Sequence, residues 1–137
     1  MLTLREAGGR AVGMTASSLA SVSLEPPLLS VCIDHATELH GLILEAPAFV
    51  VNILEGRQEE LSRRFAEQHA DRFDGVGYRA GAEGQVLLEG ALAHIECETW
   101  ARYPGGDHTI VVGRVVGGST HEGHPLIYYR GGYHTLA

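Results

Sequence analysis

The sequence predicts a mainly β fold with helical insertions, of the kind in which the strands close into a small barrel. Six or seven short runs have the apolar alternation or the β-branched content of strands. Turn signals separate most of these runs, and 18 glycines are spread along the 137 residues. Two segments have the spacing of an amphipathic helix, and both fall between early strands.

The N-terminal part is predicted to form a hairpin followed by a hydroxyl-rich stretch. Strands are predicted over 2–5 and 11–15, with Gly8-Gly9 as the turn between them. Residues 15–23 then carry five hydroxyls among small apolar residues, and Pro26-Pro27 ends the stretch. Such a stretch lets a ligand approach the backbone, although the alternative is a strand and turn whose hydroxyls satisfy their own backbone.

A buried strand and an amphipathic helix are predicted next. Residues 28–33 form a short, continuous apolar run, which is typical of a buried strand. Apolar residues then recur at helical spacing over 35–46, and Pro47 ends this helix. Asp34 or Thr37 is the expected N-cap residue.

The rest of the chain is predicted to consist of strands joined by turns, apart from a second helix. The predicted strands cover 49–54, 91–100, 109–116 and 126–130, with residues 86–90 leading into the second of these, and the helix covers 58–70. A turn over 103–108 and a polar loop over 117–125 connect the last of these strands. No repeat, low-complexity segment or linker interrupts the pattern, so residues 1–137 are expected to form a single domain.

Composition narrows the class of protein. A net charge of −7, from 17 acidic and 10 basic residues, argues against a nucleic-acid partner. No apolar run approaches the roughly 18 residues of a membrane helix, and the N-terminus lacks the pattern of a secretory signal. A cytoplasmic protein without a membrane partner is therefore expected, and its two cysteines are predicted to be reduced and buried.

Common metal and nucleotide motifs are missing from the sequence. The close pairs of metal-binding residue types are His121 with His124, His35 with His40, and His94 with Cys97. None of these pairs has the third ligand that a zinc site needs, so no metal is expected. The chain also lacks the G-x-S-x-G, G-x-G-x-x-G and P-loop patterns.

The turn formed by Gly105, Gly106, Asp107 and His108 is a candidate site. Its two glycines allow the backbone to pass close to a ligand, and the imidazole of His108 can be neutral or charged near neutral pH. Asp107 either orients that imidazole or caps the turn. The alternative is a capped turn with an exposed histidine and no ligand.

Five segments, taken together and in order, resemble the flavin reductase-like family. The segments are 13–18, 21–28, 49–54, 103–108 and 126–133, and the likeness extends over residues 12–136. The family comprises small NAD(P)H:flavin oxidoreductases, including the reductase components of two-component flavin monooxygenases. The resemblance implies an FMN-binding split β-barrel, usually a homodimer that holds the flavin near the subunit interface.

The resemblance also implies site residues. The cofactor-binding positions are Thr15, Ala16, Ser17 and Ser18 along the flavin ring, Cys32, Asp34 and Thr37 towards the phosphate, and Gly106, Asp107, Tyr128 and Tyr133 beside the flavin and the nicotinamide. His108 takes the catalytic position, where it would contact the edge of the nicotinamide or the flavin.

The activity so implied is hydride transfer from NADH or NADPH to FMN, with FAD and riboflavin as alternatives. Alignment of the two rings matters more for this step than an acid or a base does. Reduced flavin would then pass to a partner oxygenase or react with oxygen. The alternative function is a non-catalytic split-barrel module that binds a flavin or another planar ligand with weakened phosphate recognition.

Two departures from the family pattern lead to further expectations. The family's N-terminal helix has no counterpart before Leu2, so either the chain start is misassigned or the dimer interface is leaner. The usual phosphate-side turn, Asp-Arg-Ser-Ser-x-Thr, reads here as residues 34–39, Asp-His-Ala-Thr-Glu-Leu. Glu38 would repel a phosphate by roughly 4 kcal/mol at ~4 Å and an effective dielectric of 20. Weak FMN binding, or a phosphate held by Arg72 or another arginine, is therefore expected.

Overall fold

The computed structural model describes residues 1–67 and 72–136, and within them the fold is mainly β with two inserted helices. The first strands are β1 (Leu2–Arg5), β2 (Ala11–Met14), β3 (Ala20–Leu24), β4 (Pro27–Asp34) and β5 (Ala48–Ile53). The later strands are β6 (Tyr78–Ala80), β7 (Val86–Leu88), β8 (Ala93–Gly105), β9 (His108–Thr120), β10 (Ile127–Tyr129) and β11 (Gly132–His134). Helix α1 (Glu38–Ile43) precedes β5, and α2 (Glu59–Ala66) follows a 3₁₀ turn at Gly56–Gln58.

Seven strands form one antiparallel sheet in the order β2-β1-β5-β8-β9-β4-β3. Residues 15–19 join the two edge strands, β2 and β3. In a flat sheet, six spacings of roughly 4.8 Å would separate those edges by about 29 Å. The connection spans at most about 22 Å from Met14 to Ala20 when fully extended. The sheet must therefore curl until its edges approach each other, in agreement with the predicted split β-barrel.

Two apolar clusters stabilise this sheet. The larger cluster lies between the strands and α1, from which Leu39 and Ile43 are buried. The smaller one includes Phe65 of α2 and Leu88 of β7. The Phe65 ring also meets the Phe73 ring edge-on, with 4.8 Å between their centroids. Both helices therefore dock through apolar side chains, and α2 holds a fixed position beside the residues that precede β3.

Both predicted helices are present, but α1 is shorter than its periodicity indicates. Of the two residues predicted for the N-cap, Asp34 belongs to β4, whereas Thr37 does occupy the N-cap position of α1, although its side chain makes no capping bond. The Thr37 hydroxyl instead donates to the Asp34 carbonyl at 2.8 Å, and the Asp34 carboxylate accepts from the Ala36 N–H at 2.8 Å. These bonds close a turn before the helix begins. The end of the second predicted helix, 68–70, lies outside the described residues.

Three differences from the predicted strands come from pairing between consecutive strands. Pro27 begins β4 rather than ending a stretch, and the Glu25–Pro26 peptide bond is cis. The strand β6 is exposed and only three residues long, so no period was visible in the sequence. The loop predicted over 117–125 begins only after Thr120, because Gly117 and Gly118 continue β9 opposite β8.

No helix in the described ranges is both long and apolar enough to cross a membrane.

Both cysteines are free thiols, as predicted, but only Cys97 is fully buried, whereas Cys32 is partly exposed. Burial raises the pKa of the Cys97 thiol from 9.0 to about 12.

The buried thiol of Cys97 should make the stability of the protein depend on pH in alkaline solution. The folded state holds the Cys97 proton more tightly than the unfolded state, so the free energy of unfolding should fall as the pH rises from 9 towards 12. Urea unfolding of wild type and Cys97→Ala over this range measures the effect. The variant should lose stability less steeply, and equal slopes for the two proteins would rule out a contribution from Cys97.

Candidate functional site

A cavity of about 440 Å³ lies between residues 15–19, β5, α2 and the C-terminal hairpin. Its lining is mainly apolar, with a few polar side chains: Thr15, Ser17, Asn52, Ser62, Tyr128 and Tyr133. None of the described residues that line it carries a charged side chain. A cavity of this size and character suits the uncharged, planar part of a small molecule rather than an ion.

Three of the four residues predicted along a flavin ring line this cavity: Thr15, Ala16 and Ser17. The Thr15 hydroxyl donates to the carbonyl of Ser62 at 2.7 Å, and its N–H donates to the carbonyl of Phe65 at 3.1 Å. Both acceptors belong to α2. The first wall of the cavity is therefore attached to a helix that the sequence pattern did not connect with it.

Ser18, the fourth predicted ring residue, does not line the cavity. Its hydroxyl accepts from the Cys32 N–H at 2.9 Å and donates to the Cys32 carbonyl at 3.3 Å. The Ser18 hydroxyl therefore bonds to backbone groups, but to those of β4 and not to those of its own segment. Ser18 attaches the hydroxyl-rich segment to β4 where the next group of predicted residues begins.

The hairpin of β10 and β11 supplies a second wall of the cavity, through Tyr128 and Tyr133. The two rings meet edge-on with their centroids 5.3 Å apart. The Tyr133 hydroxyl lies 2.7 Å from the Ser62 hydroxyl, and the Arg63 guanidinium lies 4.7 Å from the centroid of the Tyr133 ring. Both predicted tyrosines are thus at the cavity, and α2 holds one of them.

The other predicted residues lie apart from the cavity, around the β8–β9 turn. This second group comprises Cys32, Asp34, Thr37, Gly106, Asp107 and His108, none of which lines the cavity. Asp34 pairs with His108 across β4 and β9, and the His35 N–H donates to the Asp107 carbonyl at 2.9 Å. The turn before α1 and the β8–β9 turn therefore form one local surface, joined to the cavity wall through Ser18 and β4.

Within this second group, Asp107 and His108 form a close pair. Nδ1 of His108 lies 2.7 Å from the Asp107 carboxylate. The hydrogen bond from His108, together with the attraction of its charge, lowers the pKa of Asp107. The carboxylate is exposed, whereas the His108 side chain is 39% exposed. Asp107 therefore orients the imidazole, which is one of the two roles that the sequence left open.

Two expectations about the phosphate side need correction. Arg72 is 5% exposed, and its guanidinium donates to the carbonyls of Phe65 at 3.0 Å and Glu67 at 2.9 Å. It therefore caps the end of α2 and is not available to a phosphate. Glu38 forms an ion pair with Arg10 at 2.6 Å, which offsets the repulsion expected from its carboxylate.

Several residues of these two sites were missed in the sequence. Ser62 and Asn52 line the cavity, and the buried hydroxyl of Thr109 contacts Nε2 of His40 at 2.8 Å and Nε2 of His35 at 3.3 Å. No local pattern marks these positions, because their partners are distant in the chain. Among the described residues, no three or more His, Cys, Asp or Glu side chains are arranged to hold a metal ion.

Comparison with known proteins gives one family for the whole chain. A family model described as "Flavin reductase like domain" matches residues 1–137. The chain is also 42% identical over 114 residues to an NADH-dependent FAD reductase of Streptomyces globisporus, a match that covers 80% of this chain and 63% of that protein. The chain therefore spans less than two thirds of this relative's length.

Two solved structures are similar over nearly the whole chain. The NADH:FAD oxidoreductase of Streptomyces globisporus C-1027, in complex with NAD and FAD fragments, has a TM-score of 0.90 and 37% identity, covering 99% of this chain and 82% of that one. The flavin reductase of the styrene monooxygenase from Pseudomonas putida S12 has a TM-score of 0.90 and 30% identity, covering 99% and 88%. The fold of this chain is therefore shared with these proteins.

Proposed function

The chain belongs to the flavin reductase-like domain family, and from that membership we propose that it is an NAD(P)H-dependent flavin reductase. The acceptor is FMN, with FAD and riboflavin as alternatives, and the relatives named for NADH favour NADH as the donor. The observation that carries the proposal is the cavity between Thr15–Ser17 and the two tyrosines of the C-terminal hairpin. Its lining, which has no charged side chain among the described residues, fits a flavin ring.

The residues of the chain divide the work between binding and alignment. Thr15, Ala16 and Ser17 hold one side of the ring, while Tyr128 and Tyr133 exclude water from the other side. When bound, the flavin and the nicotinamide supply the hydride chemistry themselves, so the protein needs no acid–base pair in the cavity. His108 orients the nicotinamide from the neighbouring surface, with Asp107 fixing its imidazole.

Cys32, Asp34, Thr37 and Gly106 shape that neighbouring surface. Asp34 and Thr37 hold the turn through their own hydrogen bonds, and Cys32 presents its backbone to Ser18. This surface carries imidazoles and no arginine in the turn over 34–39. A flavin phosphate placed there would be held by N–H groups and imidazoles, which supports weak, reversible binding of FMN as a substrate.

We also propose a homodimer and a partner oxygenase. Large apolar side chains stay exposed on β3, β8 and β9, and Leu24 is 94% exposed. In a homodimer, the second copy would cover these side chains and remove them from water. Light scattering of the purified protein measures its mass and so tests the homodimer.

The likeness to a styrene monooxygenase reductase supports delivery of reduced flavin to an oxygenase. Since the reaction consumes NAD(P)H, the cytoplasm is its proposed location.

The activity is tested by following loss of nicotinamide absorbance. The purified protein is mixed with NADH or NADPH and with FMN, FAD or riboflavin. Oxidation that depends on both the protein and a flavin is expected. If none of these combinations gives oxidation, the reductase proposal is wrong, and the non-catalytic binding module remains as the alternative function.

Filling the cavity should abolish flavin binding without unfolding the protein. Ser17 is exposed and lines the cavity, so Ser17→Trp places an indole in the space proposed for the ring. We expect the Kd for riboflavin, measured by fluorescence quenching, to rise about 100-fold or more. Glu122→Trp is the control, because Glu122 is exposed, lies outside the lining and belongs to the loop after β9 rather than to a strand proposed to meet a second copy. Equal affinity of the two variants would place the flavin elsewhere.

A further inference from the structure

Ser62 contacts both walls of the cavity. It is 3% exposed, lies on α2 and itself lines the cavity. Its hydroxyl is 2.7 Å from the Tyr133 hydroxyl, and its carbonyl accepts from the Thr15 hydroxyl at 2.7 Å. One residue therefore joins the segment that follows β2 to the hairpin near the C-terminus.

The helix that carries Ser62 is fixed at its C-terminal end. The Arg72 guanidinium and the Thr15 N–H both donate to the Phe65 carbonyl, which would otherwise lack a partner at the end of the helix. The Phe65 side chain is buried in the smaller apolar cluster. Ser62 therefore occupies a rigid position, from which its hydrogen bonds can set the positions of other groups.

The C-terminal hairpin has fewer supports of its own. In the described part of the chain, β10 and β11 pair only with each other. A two-stranded ribbon is marginally stable in water, so its orientation depends on the contacts it makes with the body. Leu126 anchors the start of the hairpin by donating to the Leu54 carbonyl at 2.9 Å. At the other strand, Tyr133 meets Ser62 and Arg63.

We infer that Ser62 is a positioning residue that sets the spacing between the two walls, so that Thr15 and Tyr133 close together on a flavin ring. The inference rests on the proposed function. The two bonds of Ser62 differ in kind, since Thr15 bonds to its carbonyl and Tyr133 to its side chain. Ser62→Ala therefore releases the hairpin wall while it leaves the acceptor for Thr15 in place.

The same bond can be removed from its other end. Tyr133→Phe keeps the aromatic ring, its edge contact with Tyr128 and the Arg63 contact, and deletes only the hydroxyl. A double-mutant cycle of Ser62→Ala and Tyr133→Phe therefore isolates the hydrogen bond from the packing around it. Ser62→Thr retains a hydroxyl and serves as the conservative variant.

The experiment measures the Kd for FMN by fluorescence quenching and the steady-state constants for NADH oxidation. Each single variant should raise the Kd and the flavin KM about tenfold, while kcat at saturating flavin stays within about threefold. The Kd of the double variant should lie within about twofold of the Kd of the single variant that binds FMN less tightly, because the second change removes no further hydrogen bond. Ser62→Thr should recover at least part of the affinity.

Ser119→Ala is the control, since it deletes a serine hydroxyl bonded to His94 away from the cavity. Its Kd for FMN should equal that of wild type. A rise below about fivefold in the single variants, or effects that multiply in the double variant, would overturn the inference. If Ser62→Ala does not fold, the Kd of Tyr133→Phe still tests the inference, with the same fivefold rise as the threshold. Failure of wild type to bind any flavin would instead refute the proposed function.

Discussion

Replacing His108 with alanine should lower kcat for flavin reduction about 10- to 100-fold, the range expected when a reactant loses its alignment. The Kd for riboflavin, which carries no phosphate to meet the surface around the β8–β9 turn, should change little, because His108 lies outside the cavity lining. Its imidazole, held by Asp107 at 2.7 Å, is placed at the β8–β9 turn, where a nicotinamide can be oriented from outside the ring site. Stopped-flow reduction and flavin titration measure the two quantities separately.

Two comparisons make this result specific. His121→Ala removes an exposed histidine from a different loop and should leave kcat unchanged. Asp107→Asn removes the charge that fixes the imidazole but keeps the ring, so its effect on kcat should be smaller than that of His108→Ala. Equal losses of flavin affinity and kcat in His108→Ala would contradict a role toward the nicotinamide.

Gly118→Ala should be the most destabilising single-methyl change among the glycines of β9. A Cβ atom at this position would overlap the His94 carbonyl oxygen and approach the Ile95 Cα at 3.4 Å. The residue also has a φ of 152°, a conformation that side chains disfavour. Because the obstacle is backbone in the neighbouring strand, the free energy of unfolding should fall by about 3 kcal/mol or more, as measured in urea.

The adjacent glycine provides the control. At Gly117 a Cβ atom would meet only the carboxylate of Glu96, at 3.0 Å, and that flexible side chain can move aside. Gly117→Ala should therefore cost less than about 1 kcal/mol. Equal losses for the two variants would mean that general strand propensity, rather than contact with His94, limits this position.

Gly118 also illustrates why part of the fold could not be predicted. Between Glu96 and Cys97 the register of β8 against β9 shifts, so that Glu96 faces Gly117 and Cys97 faces Val115. Such a β-bulge is a property of two paired strands, whereas the glycines by themselves are typical of a loop. The sequence therefore predicted a loop over 117–125 where the strand continues to Thr120.

The sequence pattern was sufficient to predict the elements whose formation depends on their own residues. The first hairpin, the turns between strands and the buried strands β4 and β5 follow from apolar periodicity and turn chemistry over a few residues. The helix boundaries were less accurate, because the Asp34 and Thr37 side chains close a turn instead of extending α1. Whether such side chains cap a helix or a turn depends on competing local hydrogen bonds.

The residues of the candidate site also divide into those that the sequence predicts and those that only the tertiary structure identifies. By itself, the sequence determined the mainly β class, the small residues at 15–17 and the turn that carries Asp107 and His108, whereas the tyrosines of the last hairpin came from the resemblance to the family. Only the tertiary structure decided that Ser18 bonds to β4, that Arg72 caps α2 and that Ser62 joins the two cavity walls. The physical reason is that the Ser18 and Ser62 contacts link separate segments, which the order of strands in a curled sheet, not any local period, brings together. The Arg72 contact spans only seven residues, but it depends on the buried end of α2, which no local pattern marks.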